Sequence, residues 1–146
     1  MTNDVISDII NTTNTKGEPP MDKRNTKQLE AVRSYVSSVR CHPTAEQVYR
    51  AVAEISPGIG LRTVYRNLEK LAEQGDIRRI MVPNQPDRFD ATMLPHQHVS
   101  CICCGAFDDV FLGDEEVLAS VDGLTDYEID GCDIVFRGLC PSCKNK

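Results

Sequence analysis

No stretch of this 146-residue chain approaches the eighteen or more consecutive apolar residues of a membrane span. The first ten residues, MTNDVISDII, lack the basic flank and apolar core of a secretory signal. A protein with no membrane partner, working in the cytosol, is therefore expected. Histidine is scarce: there are three in all, so a site built of imidazole must draw on His42, His96 and His98. No candidate general base stands out, which weighs against a metal-dependent hydrolase. Cysteine is not scarce. Seven of them in a reducing compartment read as metal ligands and free thiols rather than disulfides.

The net charge of −6 would argue against a nucleic-acid partner if it were evenly spread. It is not: residues 23–88 carry twelve Lys and Arg against seven Asp and Glu, a balance of +5, whereas residues 91–146 carry three against ten, a balance of −7. A basic first half joined to an acidic second half suggests two tasks, with the basic half facing a phosphate backbone.

Residues 1–22 are polar, end in Gly17-Glu18-Pro19-Pro20 and read as a flexible leader. Leu29, Val32, Val36 and Val39 then form one helical stripe. Thr44 followed by Gln47 is a capping-box pattern that opens a second helix, with Ala45, Val48, Tyr49, Val52 and Ile55 on its buried face. After the turn Pro57-Gly58-Ile59-Gly60, the residues Leu61, Val64, Leu68 and Leu71 mark a third helix ending at Gly75. Ile77 to Asp90 reads as a β-hairpin with a proline-rich tip. Three short helices closed by a hairpin make a winged helix-turn-helix over residues 23–90. In such a unit Arg62, Thr63, Tyr65 and Arg66 on the third helix would reach bases and phosphates, and Arg78, Arg79 and Arg88 on the wing would touch phosphates.

Residues 91–97 form a hinge. Beyond it, residues 98–146 read as a small α/β dimerisation and zinc-binding domain, making the whole chain α+β. Strands are expected over 99–102 and 107–112, a helix over 115–121 capped by Asp114, and a hairpin in which Asp130-Gly131 joins Tyr127-Glu128-Ile129 to Ile134-Val135-Phe136. An exposed edge of that sheet, paired with a second copy, would give a homodimer.

Two C-x-x-C knuckles, Cys101/Cys104 and Cys140/Cys143, are separated by enough chain to fold back on each other, and they predict a structural zinc site. Cys41, Cys103 and Cys132 read as ordinary thiols. His96 and His98 alternate along an extended segment, so their rings point the same way. Asp90, Asp109 and His42 are candidate partners. If all five meet, three imidazoles and two carboxylates suit iron(II) or manganese(II) and leave a position for a further ligand.

Taken together, His42-Pro43-Thr44-Ala45, the run Arg62 to Leu68, Arg88-Phe89-Asp90, His96-Gln97-His98 and the two knuckles resemble the ferric uptake regulator superfamily. Within it the chain is most similar to the peroxide-responsive repressors, whose sensing residues match His42, Asp90, His96, His98 and Asp109. The iron-sensing branch typically has a histidine-rich run and a glutamate at the position of Asp109; this sequence has neither. A zinc-responsive repressor would recruit a further cysteine or histidine, for which Cys103 and Cys132 are the available residues. The resemblance implies a homodimeric repressor that binds a palindromic DNA operator when metal clamps its halves together. It further implies that iron(II) and hydrogen peroxide oxidise a ligand histidine, His42 or His96, and so release the DNA.

Overall fold

The structure is a computed structural model describing residues 23–146; the leader expected over residues 1–22 lies outside the described residues. Helices α1 (Lys23–Ser38), α2 (Ala45–Ile55) and α3 (Leu61–Glu73) come first. Each presents an apolar stripe to the others: Leu29, Val32 and Val36 from α1, Ala45, Val48 and Val52 from α2, Val64, Leu68 and Leu71 from α3, with Ile77 and Phe89 closing the core. Local signals set the ends of these helices. The Thr44 Oγ1 accepts from the Gln47 amide at 3.3 Å while the Gln47 side chain accepts from the Thr44 amide at 2.8 Å. At the end of α3, Gly75 takes φ 76°, and the amides of Gly75 and Asp76 return to the carbonyls of Ala72 and Leu71, as a left-handed residue there permits.

Two expectations for the helical stripes need correction. Val39 falls just beyond α1, and Ile55 is 70 % exposed. Ile55 is the last residue of α2, so among the described residues it lies past the reach of the three-helix core.

Strands β1 (Arg78–Ile80) and β2 (Arg88–Asp90) pair antiparallel, with Arg78 opposite Asp90 and Ile80 opposite Arg88. This hairpin against three helices is the winged-helix arrangement. The acidic half follows as β3 (Gln97–Cys101), β4 (Phe107–Val110), α4 (Asp114–Val121), β5 (Val135–Gly138) and α5 (Pro141–Lys144). Its sheet has the order β4-β3-β5. The amide of Gly113, rather than a side chain of Asp114, takes the capping bond from α4, donating to Glu116 at 3.2 Å.

The hairpin expected around Asp130-Gly131 does not form. Residues 127–129 are not a strand, and β5 instead runs parallel to β3, pairing His98 with Val135 and Cys101 with Gly138. Parallel pairing needs a long crossover, here supplied by α4 and the segment after it. The physical reason lies in β3. Its free edge takes the chain through the His98 amide, which donates to the Ile134 carbonyl at 3.1 Å, and through the Gln97 side chain, which accepts the Ile134 amide at 2.9 Å. With β4 on one side and β5 on the other, β3 is covered along its length. Gln97 and His98 at its start are both buried because each face is covered as well: the His98 ring packs against Phe107 and His42, and the Gln97 side chain is held by Asp114 and the Ile134 amide. A small apolar cluster of Ile80, Val82 and Phe107, with Val135 against it, joins the wing to this sheet. Among the described residues, no helix is long and apolar enough to cross a membrane.

Replacing Thr44 with Ala removes the capping bond and leaves the Gln47 amide unpaired. Urea denaturation should show a loss of about 1 kcal/mol; a loss below a few tenths would mean that packing alone fixes the start of α2.

Candidate metal centres

Two clusters of metal-ready side chains form, and both were named from the sequence. In each, the ligand atoms all lie within 4.8 Å of one another.

The first cluster gathers Cys101, Cys104, Cys140 and Cys143. Cys101 ends β3, Gly105 at φ 75° turns the chain behind it, and its amide returns to the Cys101 carbonyl at 3.0 Å. The second knuckle is the first turn of α5. Its Cys140 amide donates to the Cys101 sulfur at 3.3 Å, which docks one knuckle on the other. The sulfurs of Cys104 and Cys140 are 3.7 Å apart. That is far too long for a disulfide, at ~2.0 Å, and close to the ~3.8 Å edge of a tetrahedron whose zinc–sulfur bonds are ~2.3 Å. Backbone amides of Cys104 and Cys140 lower the Cys101 thiol to about 6, whereas neighbouring thiols, Cys103 first, push Cys143 up. Four sulfurs this close cannot all ionise against one another. A divalent cation removes the conflict, so the donor set and its spacing fit a structural zinc.

The second cluster spans both halves of the chain. His42 comes from the loop before α2 and Asp90 from the end of β2; His96 and His98 flank the start of β3, and Asp109 sits on β4 directly opposite His98. The Asp90 Oδ2 lies 2.9 Å from His96 Nε2, 3.4 Å from His98 Nε2 and 3.6 Å from His42 Nε2. The Asp109 Oδ1 lies 2.8 Å from His42 Nε2, 3.2 Å from His96 Nε2 and 3.7 Å from His98 Nε2. All three imidazoles are buried, with His96 at 0 % exposure; an exposed histidine pair is not what the chain makes.

One of these approaches, His98 Nε2 to Asp90 Oδ2 at 3.4 Å, has the geometry of a hydrogen bond, but hydrogen bonding does not account for the whole cluster. His96 Nε2 and Asp109 Oδ1 are buried and neither has a hydrogen-bond partner. The other nitrogen of His96, Nδ1, lies 2.6 Å from the Leu94 carbonyl, so it carries the proton and Nε2 presents its lone pair to the cluster. Asp90 is held by its other oxygen, which accepts from the Thr92 amide at 2.7 Å. Lone pairs converging on a common point, with their second atoms tied back to the main chain, fit a metal ion better than a hydrogen-bonded network. Without a cation the groups compensate through their protons. Burial lowers the pKa of His42, but Asp90 and then Asp109 outweigh it and raise it overall. Burial raises Asp90, but His42, His98 and the Thr92 amide hold it well below the usual carboxylate range. A cleft of about 460 Å³, lined in part by His42, Asp90, Asp109 and Phe111, opens beside the cluster.

The residues expected to meet nucleic acid divide into two groups. Arg62 and Arg66 stand exposed on α3 with Thr63 partly exposed; Tyr65, also exposed, donates to Glu46 at 2.9 Å. Arg79 is exposed and paired with Asp87 at 2.6 Å. Arg78 and Arg88, by contrast, point into the joint between the halves. Arg78 donates to the His96 carbonyl at 3.3 Å and to Asp133 at 3.2 Å, and Arg88 donates to the His42 carbonyl at 3.3 Å and to the Gly105 carbonyl at 3.0 Å. Charge alone does not say which way a wing arginine turns, and here unpaired carbonyls beneath the wing capture both. Gln97 is a further residue that sequence reasoning passed over. Its amide donates to Asp114 at 2.9 Å and lies 3.6 Å from the Cys132 sulfur, so Cys132 is engaged away from the five-residue cluster. Its place between His96 and His98 was the signal available in the sequence.

Comparison with known proteins agrees with this anatomy. Residues 21–134 match the model of the ferric uptake regulator family. The match ends before Cys140 and Cys143, so the pairing of the two knuckles rests on the geometry above. A peroxide-responsive repressor, PerR, of Staphylococcus epidermidis is 29 % identical over 124 residues, covering 84 % of this chain and 83 % of that protein. The crystal structure of the Campylobacter jejuni peroxide stress regulator superposes with a TM-score of 0.67 at 27 % identity, over 82 % of this chain and 91 % of that one. The Helicobacter pylori ferric uptake regulator Fur shares the fold, with a TM-score of 0.71 at 22 % identity over 82 % and 84 % of the two chains. These relatives are regulators, not enzymes, and the hydrolase alternative falls away. Matched over most of its length and carrying both metal-ready clusters, this chain belongs to the ferric uptake regulator family of metal-responsive regulators.

Proposed function

We propose that the protein is a cytoplasmic repressor that binds a palindromic DNA operator as a homodimer and senses hydrogen peroxide through its five-residue cluster. The observation that carries this reading is the convergence of His42 and Asp90 with His96, His98 and Asp109, from opposite halves of the chain, to within 4.8 Å. In this reading residues 23–90 bind DNA and 98–146 hold the dimer and the zinc; the hinge expected over 91–97 is shortened to 91–96, because Gln97 is the buried first residue of β3. Arg62, Thr63, Tyr65 and Arg66 face the major groove, and Arg79 reaches the flanking backbone. The exposed edge of β5, with Phe136 and nearby Tyr127 and Leu139 in the open, is the surface for a second copy.

The five residues act by holding a posture. His42 and Asp90 belong to the DNA-binding half and the other three to the acidic half, so binding one ion favours the arrangement in which all five converge. Held by these five residues, iron(II) would supply reducing electrons for peroxide cleavage, and His42 and His96 would be the side chains closest to that chemistry. The cleft beside Asp109 admits a molecule of that size, and an oxidised imidazole binds metal poorly. The clamp then opens and DNA affinity falls. Cys132 is held by Gln97 and Asp114, so a zinc-responsive reading that recruits it finds no support.

Iron(II)-loaded protein exposed to hydrogen peroxide should gain one oxygen on a peptide containing His42 or His96. It should also lose affinity for a palindromic duplex selected by the manganese(II)-loaded form. The manganese(II) form should resist the same treatment; equal sensitivity of the two forms would sink peroxide sensing in favour of sensing the metal level itself.

For the cysteine cluster, stripping zinc with a strong chelator should unfold the acidic half and dissociate the dimer, because the metal supplies folding energy that the small sheet does not. Circular dichroism and sedimentation check this, and a stripped protein that stays a folded dimer would show the zinc to be dispensable.

A further inference from the structure

We infer that Arg88 is a positioning residue that seats His42 for metal and couples the regulatory cluster to the first zinc knuckle. This rests on the ligand assignments proposed above. Arg88 lies on β2 two residues before Asp90. One guanidinium nitrogen donates to the carbonyl of His42 at 3.3 Å and the other to the carbonyl of Gly105 at 3.0 Å. Gly105 is the residue whose amide closes the Cys101–Cys104 turn. A single planar group thus touches the main chain of a regulatory ligand and the main chain of the zinc knuckle.

Three further observations make this a built contact. His42 has φ 49°, a left-handed conformation that a non-glycine residue keeps only where its surroundings over-determine it. Arg88 and its neighbour supply that constraint, since the Phe89 amide donates to the Pro43 carbonyl at 3.1 Å. The guanidinium also lies 5.5 Å from the centroid of the Phe107 ring, and that ring stacks on His98 and meets His42 edge-on, both at 5.3 Å. Finally, the Arg88 Nε is buried without a partner, a cost that a side chain reaching outward for phosphate would not carry. Arg78 treats a second of the three histidines similarly through the His96 carbonyl, but its other partner, Asp133, is 89 % exposed and so holds it weakly.

The test uses the full zinc-replete chain. Arg88→Gln should weaken manganese(II) binding, measured by competition with a metallochromic chelator, on the order of tenfold, the usual scale when a group that orients a ligand is lost. Zinc content and the thermal transition should be retained. Arg88→Lys should restore only part of the affinity, because an ammonium cannot bridge both carbonyls, and it gives the readout if the Gln variant fails to fold. Zinc release by a mercurial thiol reagent should be slowed by excess manganese(II) in the wild-type protein and indifferent to it in Arg88→Gln. Unchanged manganese(II) affinity in both variants would overturn the proposal. So would an equal drop in DNA affinity with and without metal, which is the signature of a phosphate contact. If the wild-type chain itself bound no manganese(II), the ligand assignments would fall first and the role of Arg88 with them.

Discussion

The structure depends on how two carboxylates are kept comfortable in a place with little water. Asp90 is buried and Asp109 largely so, and each faces the same three imidazoles. Moving a lone anion out of water is costly enough that it pairs, takes up a proton or finds a cation. Here the partners come from both halves of the chain, so the means of neutralising that charge also fixes how the halves sit. On the function proposed above, occupancy of the site and shape of the molecule would be one equilibrium.

The rest of the joint is slight by comparison. Ile80 and Val82 on the wing side meet Phe107 and Val135 on the sheet side, a cluster too small to hold two units rigidly by apolar burial. The two inward-turned arginines add directional bonds to three main-chain carbonyls, two of which belong to histidines of the cluster, His96 and His42. Rigid elements surround the cluster: a capped helix after His42, the paired end of β2, and a strand covered on both edges. The cluster therefore sits at the contact between the halves rather than inside either of them.

Much of this was legible in the residues because the signals were local. Helical stripes, the Thr44–Gln47 box, the Gly75 stop and the two cysteine knuckles each depend on a few neighbours, and each appears where the spacing puts it. What was not legible depended on distant partners. Asp130-Gly131 has the chemistry of a hairpin turn, yet the edge of β3 and the Gln97 side chain take the following segment first. Ile55 fits its stripe but has no core beyond it. Arg78 and Arg88 carry the charge of phosphate contacts, and only the position of three carbonyls, those of His96, His42 and Gly105, reveals that they face inward. The burial of His96 and His98 likewise follows from Asp90 and His42 across the joint and from Phe107 on β4, which periodicity within one strand does not encode.

The parallel pairing of β3 with β5 has a consequence for biogenesis. The pairing joins His98 to Val135 across the whole of β4, α4 and the crossover, and contacts so remote in the chain form slowly. During synthesis the three helices and the wing are exposed and able to fold well before Cys140 and Cys143 leave the ribosome. A nascent chain thus completes its helical half before the sulfur cage can close, and His96 and His98 at the start of β3 stay unsheltered until β5 arrives.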